Sequence, residues 1–218
     1  ILIDKNNYRY LFNLFTVFLI TLFFYATLQY GSLIRLHGFI LISFFIIYFI
    51  ISMKYFGSDV KEEESKKYDK IIYSIINIII GIVLIYIGSN LFIDGALGIS
   101  RTLGIHDLSA GLTIVALGTS APELVVSINA MKKNESMLVL GNVIGSNIAN
   151  IVFAGGISSI IKNIVINYSD IAIYNNLMLL ITIVLILVIF FSGKIHKIFS
   201  LLFISIYFIF IYLNFFNN

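Results

Sequence analysis

Apolar and polar positions alternate in long blocks along this chain. Apolar runs cover about 10–29, 37–53, 71–100, 109–131, 137–161, 171–192 and 196–214. Most reach the roughly 18–20 residues that carry a helix across a bilayer. The pattern predicts seven membrane-spanning helices. Ten-residue segments of alternating polarity are missing, which argues against a membrane barrel. Gly31, Ser32 and Arg35 separate the first two runs, and Lys54 closes the second. Residues 57–70 form the only strongly charged segment, read as a solvated loop. The third run is long for one span. Its Gly81, Gly88 and Gly95 lie seven apart on roughly one helical face, a spacing that lets another helix approach or slide.

Composition agrees with this pattern. The chain has 218 residues, 60% hydrophobic and 11% charged, with a mean hydropathy of +1.02. A soluble domain carries about 25% charged residues, so an all-α integral membrane protein is expected, with the lipid bilayer as its main partner and no nucleic acid. Cysteine is absent, which excludes disulfides and thiolate metal sites. Tryptophan is absent too, and 13 tyrosines can anchor the interfaces. The chain opens on Ile1, not Met, so a preceding segment is expected.

The net charge of +3 matters less than where the charges sit. If residues 1–9 are cytoplasmic, alternating spans place all but three of the 14 Lys and Arg on that side, Lys132 and Lys133 among them. Arg35, Arg101 and Lys162 fall on the other side. This is a positive-inside bias. It puts loop 57–70 in the cytoplasm and the C-terminus outside.

The candidate chemistry is concentrated in residues 111–150, GLTIVALGTSAPELVVSINAMKKNESMLVLGNVIGSNIAN. Glu123 is an acid inside an apolar run. Thr119 lies one turn earlier on the same face, and Ala116 three residues before that. Pro122 returns no N–H to the carbonyl of Gly118, so a kinked or broken helix with freed carbonyls is expected there. Carbonyls, hydroxyls and a carboxylate are hard ligands suited to sodium and calcium. Asn142, Ser146 and Asn150, spaced four apart, make a polar stripe on the next helix. Gly141 and Gly145 would let the two helix backbones come close. The short turn at 132–136 makes the two helices antiparallel, with the stripe toward Glu123. Asn147 points off the stripe. His37, His106 and His196 sit at span ends as interfacial groups, Asp94 lies near the outer end of the third span, and the sequon Asn167-Tyr168-Ser169 sits in a short loop close to the membrane.

GTSAPELVVS followed by GNVIGSNIANI resembles the alpha repeat of the sodium/calcium exchangers, within the calcium:cation antiporter superfamily. The likeness is close over residues 111–151 and extends to the flanks in hydropathy and layout. It implies a ten-helix fold of two inverted repeats with ions bound at the repeat interface. By motif position Glu123 resembles the acid that coordinates calcium and sodium. Thr119 resembles a ligand through carbonyl and hydroxyl, Ala116 through its carbonyl, and Ser120 lies in the same turn. Ser146 resembles a sodium ligand, Asn150 stands at a position the family fills with Asn or Asp, and Asn142 and Asn147 are weaker candidates. The third run resembles the helix that slides to switch access. The implied activity is calcium–sodium antiport, without a cofactor and without enzymatic chemistry.

No second GTSxPE motif occurs in residues 1–110. The layout therefore resembles the C-terminal part of the exchanger. Residues 1–56 hold the last two helices of the first half, 57–70 a cytoplasmic loop, and 71–218 the five-helix second half with its core at 109–161. Calcium takes six to eight oxygens, usually from more than one carboxylate, and Glu123 is the single interior acid. A second acid is expected from a missing first repeat, as an upstream segment or a second subunit. Two alternatives follow: a proton- or potassium-coupled exchanger of the same superfamily, and a half-transporter inactive without its partner. A membrane enzyme lacks a paired acid–base or nucleophile–His constellation, and a channel does not fit an inverted-repeat signature.

Overall fold

The computed structural model describes residues 8–56, 71–104, 107–192 and 196–216. Loop 57–70 and His106 lie outside the described residues. The chain is helical nearly throughout, as continuous Ile, Leu, Phe and Tyr runs require in lipid, where backbone groups must be bonded within the segment. The helices are α1 (Tyr8–Gln29), α2 (Arg35–Phe56), α3 (Ile71–Thr102), α4 (Asp107–Ala110), α5 (Ala116–Lys132), α6 (Ser136–Ala149), α7 (Ser158–Ile161), α8 (Tyr168–Ser192) and α9 (Lys197–Phe216). Two π-helical segments are inserted, π1 (Gly111–Val115) before α5 and π2 (Asn150–Ile157) after α6. Among the described residues, six helical stretches are long and apolar enough to span a membrane, and Lys197–Tyr212 in α9 is a shorter apolar helix. The protein is an all-α, multi-pass membrane protein.

The chain divides into two compact units, one of residues 1–59 and 123–197, the other of 60–122 and 198–218. In the first unit, α1 packs against α2, α6 and α8, and α2 packs against π2 and α7. Leu14, Val17, Ile20, Leu41, Leu140, Ile144, Ile148, Val152 and Ile189 form its core. Leu140, Ile144, Ile148 and Val152 recur every four residues, so one face of α6–π2 is buried. Gly38 and Gly156 let α2 approach π2 closely. A Cβ on Gly38 would run into Gly156 O and Ser159 Oγ, and would lie 2.7 Å from Ile160 Cγ1. Phe45 meets Phe153 edge-on at 4.9 Å.

At one end of this unit, Ser32–Leu33 (β1) pairs antiparallel with Ile164–Val165 (β2). Arg35 N donates to Asn163 Oδ1 at 3.1 Å, and Ile34 N to His37 Nδ1 at 3.4 Å. The α1–α2 and α7–α8 connections thus lie side by side, and His37 sits at a span end as expected. The sequon asparagine precedes α8. Its Nδ2 donates to Asp170 Oδ1 at 3.1 Å, and its Oδ1 accepts from Ser169 Oγ at 2.9 Å.

In the second unit, α3 packs against α4 and π1. Its buried residues are small: Ala96, Ser100, Ser109, Ala110 and Thr113. Thr113 Oγ1 donates to Ser109 O at 2.6 Å.

Two glycine expectations are corrected. Among the described residues, no atom lies within 4 Å of a Cβ built on Gly81, Gly88 or Gly95, nor on Gly141 or Gly145. Spacing places glycines on one face but does not bring a neighbour to it. Close approach occurs instead at Gly38, Gly118, Gly155 and Gly156.

Candidate ion-binding site

Glu123 lies on α5, and the turn after α5 sets the partner that reaches it. Asn134 takes a left-handed conformation (φ 59°). Glu135 N then donates to Ala130 O at 2.9 Å and Asn134 N to Met131 O at 3.0 Å, which closes α5 with a Schellman motif. The chain reverses within a few residues and α6 begins at Ser136. The chain turns back far enough for a side chain of α6 to reach α5.

Asn142 makes the link between them. Its Nδ2 donates to the main-chain carbonyl of Glu123 at 2.9 Å and to Ser127 Oγ at 3.0 Å. The carboxylate is left over: Glu123 Oε2 is buried and has no hydrogen-bond partner. A charged acid at the centre of a spanning helix costs about 3 kcal/mol on insertion scales. An orphaned buried oxygen adds to that cost unless something binds it. Sequence reasoning ranked Asn142 among the weaker candidates; its contact is with backbone 19 residues away, which spacing on one helix does not reveal.

The rest of the stripe behaves differently. Ser146 Oγ donates back to Val143 O at 3.1 Å, and Asn147 Nδ2 to the same carbonyl at 2.8 Å. Both are thus tied to their own helix, and among the described residues no hydrogen bond from Asn147 to a neighbouring helix is seen. Asn150 is exposed and is the first residue of π2. Residues 142, 146 and 150 are two positions out of step with the buried set 140, 144, 148 and 152, so they fall on the opposite side of α6. The apolar face of α6 is spent on packing and the polar face is left clear of that core.

In the other unit, Ala116 and Thr119 are joined. Thr119 Oγ1 donates to Ala116 O at 3.1 Å. Ala116, Thr119 and Ser120 are all exposed. The helix does not break at Pro122, which lies inside a continuous α5. Proline forfeits one hydrogen bond at Gly118 O, and the neighbouring bonds hold the helix. The irregular backbone lies earlier, at π1, where Ala116 N donates to Gly111 O and Thr113 O. π turns recur at functional sites, and sequence reasoning had no signal for either of these two. Among the described residues no cluster of three His, Cys, Asp or Glu could hold a resident metal.

Fold and donors define a multi-pass membrane protein in which, among the described residues, Glu123 holds a buried, unpartnered carboxyl oxygen. The chain belongs to the sodium/calcium exchanger protein family, whose profile matches residues 73–216. An uncharacterized membrane protein of Methanocaldococcus jannaschii is 37% identical over 164 residues, covering 75% of this chain and 53% of that relative. The putative antiporter CaxA of Alkalimonas amylolytica is 33% identical over 189 residues, covering 83% of this chain and 59% of the relative. Among solved structures, the sodium-calcium exchanger NCX_Mj soaked with sodium and strontium superposes with a TM-score of 0.66 at 31% identity, covering 95% of this chain and 66% of that one. The chain thus spans 53–59% of the length of these two curated relatives. The motif resemblance is met at the level of the family, which is one of transporters rather than enzymes.

Proposed function

We propose that this chain forms the ion-binding half of a calcium–sodium antiporter working by alternating access. The observation that carries the reading is the buried, unpartnered Oε2 of Glu123, on a helix whose backbone Asn142 holds at the acid's own carbonyl. Sodium and calcium compete for Glu123, with Thr119 and Ala116 supplying oxygens from the preceding turns of α5. Ser120, Ser146 and Asn150 are further ligands. Competition couples the two fluxes, since each ion shifts the conformational equilibrium only by its differential affinity.

Calcium needs more charge than one carboxylate supplies. A second acid therefore comes from another repeat, in a further segment or a second copy. The pairing of β1 with β2 puts Arg35 and Lys162 at one end of the first unit, which supports placing both outside, with Lys132 and Lys133 cytoplasmic. The test is sodium-gradient-driven uptake of radioactive calcium into liposomes, with and without Glu123→Gln.

A further inference from the structure

In the first unit α8 packs against α1, and a polar side chain lies inside that contact. Asn175 of α8 is 2% exposed. Its Nδ2 donates to the main-chain carbonyl of Tyr25 in α1 at 3.1 Å. Its Oδ1 is buried and, among the described residues, has no hydrogen-bond partner. Turning the amide over gives no relief, because two carbonyl oxygens would then face each other. Donors of α1 near Tyr25 are engaged elsewhere. Tyr25 Oη donates to Asn176 Oδ1 at 2.9 Å, Gln29 Nε2 donates to Tyr25 Oη at 2.7 Å, and Thr27 Oγ1 donates to Phe24 O at 2.7 Å. A buried acceptor left alone bears its full desolvation penalty, so a donor from outside the protein is called for.

We infer that Asn175 Oδ1 holds a buried water molecule that bridges α8 to α1, with the Thr21 hydroxyl as the water's second partner. Thr21 lies one turn before Tyr25 on the same face of α1 and is 2% exposed. Its hydroxyl can both donate and accept, and a buried water takes about two to four such partners. Asn175 comes seven residues after Tyr168, the first of α8, so it sits about 10 Å from that helix end, the end beside the β1–β2 pair. Gln29 and Asn176 are exposed there, which gives water a polar way in. A cation is the poorer occupant, since it needs several oxygens and Asn175, Thr21 and Tyr25 bring it no charge. The site shares no residue with Glu123 and stands whether or not Glu123 binds ions.

The water is looked for directly by magnetic resonance on the full-length chain, made with isotope-labelled asparagine and held in deuterated lipid. Asn175→Gln removes one side-chain amide signal and so identifies it. The bridge predicts a dipolar cross-peak between water and the Asn175 Nδ2 protons, distinguished from chemical exchange by its sign. No such cross-peak overturns the bridge. A cross-peak that vanishes when choline chloride is replaced by sodium chloride assigns the oxygen to a cation and overturns it as well.

Thermal melts supply the second arm. Asn175→Leu keeps the bulk of the side chain and loses both the direct bond and the bridge. A satisfied oxygen predicts a fall in melting temperature of about 3 °C or more. An orphaned oxygen predicts no fall or a rise, because its removal ends a buried polar penalty, and that result overturns the bridge. Thr21→Val keeps the shape and loses the hydroxyl, so it should also lower the melt, and Thr21→Ser should stay near the original. Thr21→Val should add little once Asn175→Leu is present, because both act through one water. Fully additive losses overturn the bridge. Where Asn175→Leu does not fold, the cross-peak and the Thr21 pair decide alone.

Discussion

Asn142 donates its side-chain amide to the main-chain carbonyl of Glu123 at 2.9 Å, and not to the carboxylate. The same nitrogen reaches Ser127 Oγ, one turn further along, at 3.0 Å. A single amide thus pins α5 to α6 at the residue that carries the acid. The carboxylate keeps its acceptor capacity, with Oε2 buried and unpartnered. On the proposed reading, a fixed backbone bearing an unpartnered carboxyl oxygen is preorganised for a cation.

Asn142→Ala should therefore weaken ion binding without removing any charge. Interhelical hydrogen bonds in membrane proteins are worth about 0.6–1.7 kcal/mol. If one such bond's worth of free energy reaches the site, half-saturation by calcium should rise roughly three- to eighteenfold, and the unfolding temperature in detergent should fall. Calcium-dependent uptake and a thermal melt, measured on one preparation, check both effects. Unchanged half-saturation would remove Asn142 from the site's support.

Thr119 offers a cleaner separation of hydroxyl from carbonyl. Its Oγ1 donates to Ala116 O at 3.1 Å. Thr119→Ser keeps that hydroxyl, and Thr119→Val keeps the shape while losing it. If the hydroxyl and the Ala116 carbonyl act together on sodium, Val should raise sodium half-saturation about fivefold or more, and Ser should stay near the original. Equal behaviour of the two variants would confine the residue's role to its backbone.

Asn150 opens π2 and is exposed. An amide there neither carries charge nor takes up a proton between pH 5 and 8. Asn150→Asp should add a further step to the pH dependence of calcium uptake, with uptake falling as the new carboxylate protonates. Uptake of the two proteins measured across pH in parallel tests this. Matching pH profiles would place residue 150 away from the ion path.

Glycine substitutions separate the contacts that exist from those that spacing suggested. Gly38→Ala would drive a methyl into Gly156 O and Ser159 Oγ, backbone and buried side chain that have little room to move. Overpacking of this kind costs about 1–3 kcal/mol. Gly81→Ala meets no atom within 4 Å and should leave the melt unchanged or slightly raised, since alanine favours helix. A melt in which Gly81→Ala loses more than Gly38→Ala would contradict the α2–π2 packing.

Much of this was legible because a membrane limits the choices. Runs near twenty apolar residues have to become helices, so the spans could be read from length and polarity. The family could be read from GTSAPE and GNVIGSNIAN, whose polar composition has no packing explanation inside a bilayer. The π segments were not legible. An i→i+5 bond is a small departure from helix, and π2 lies where Phe24 closes on Gly155 and Leu41 on Gly156, contacts made across sequence. Pro122 was read as a kink or a break because the lost bond is a local fact. The bonds that hold α5 together around it are a property of the whole helix. The hydrogen bond of Asn142 was not legible for the same reason, since its partner belongs to another helix.

Sodium-gradient-driven uptake of radioactive calcium, compared between the unsubstituted chain and Glu123→Gln, tests the central claim most directly. Gln keeps the shape of the side chain, and Oε2 has no hydrogen bond to lose, so the fold should survive and a matching thermal melt confirms it. The account predicts that any gradient-dependent uptake, whether by the chain alone or with a partner repeat supplied, disappears in Glu123→Gln. Uptake at the original rate and half-saturation in the Gln variant would contradict it.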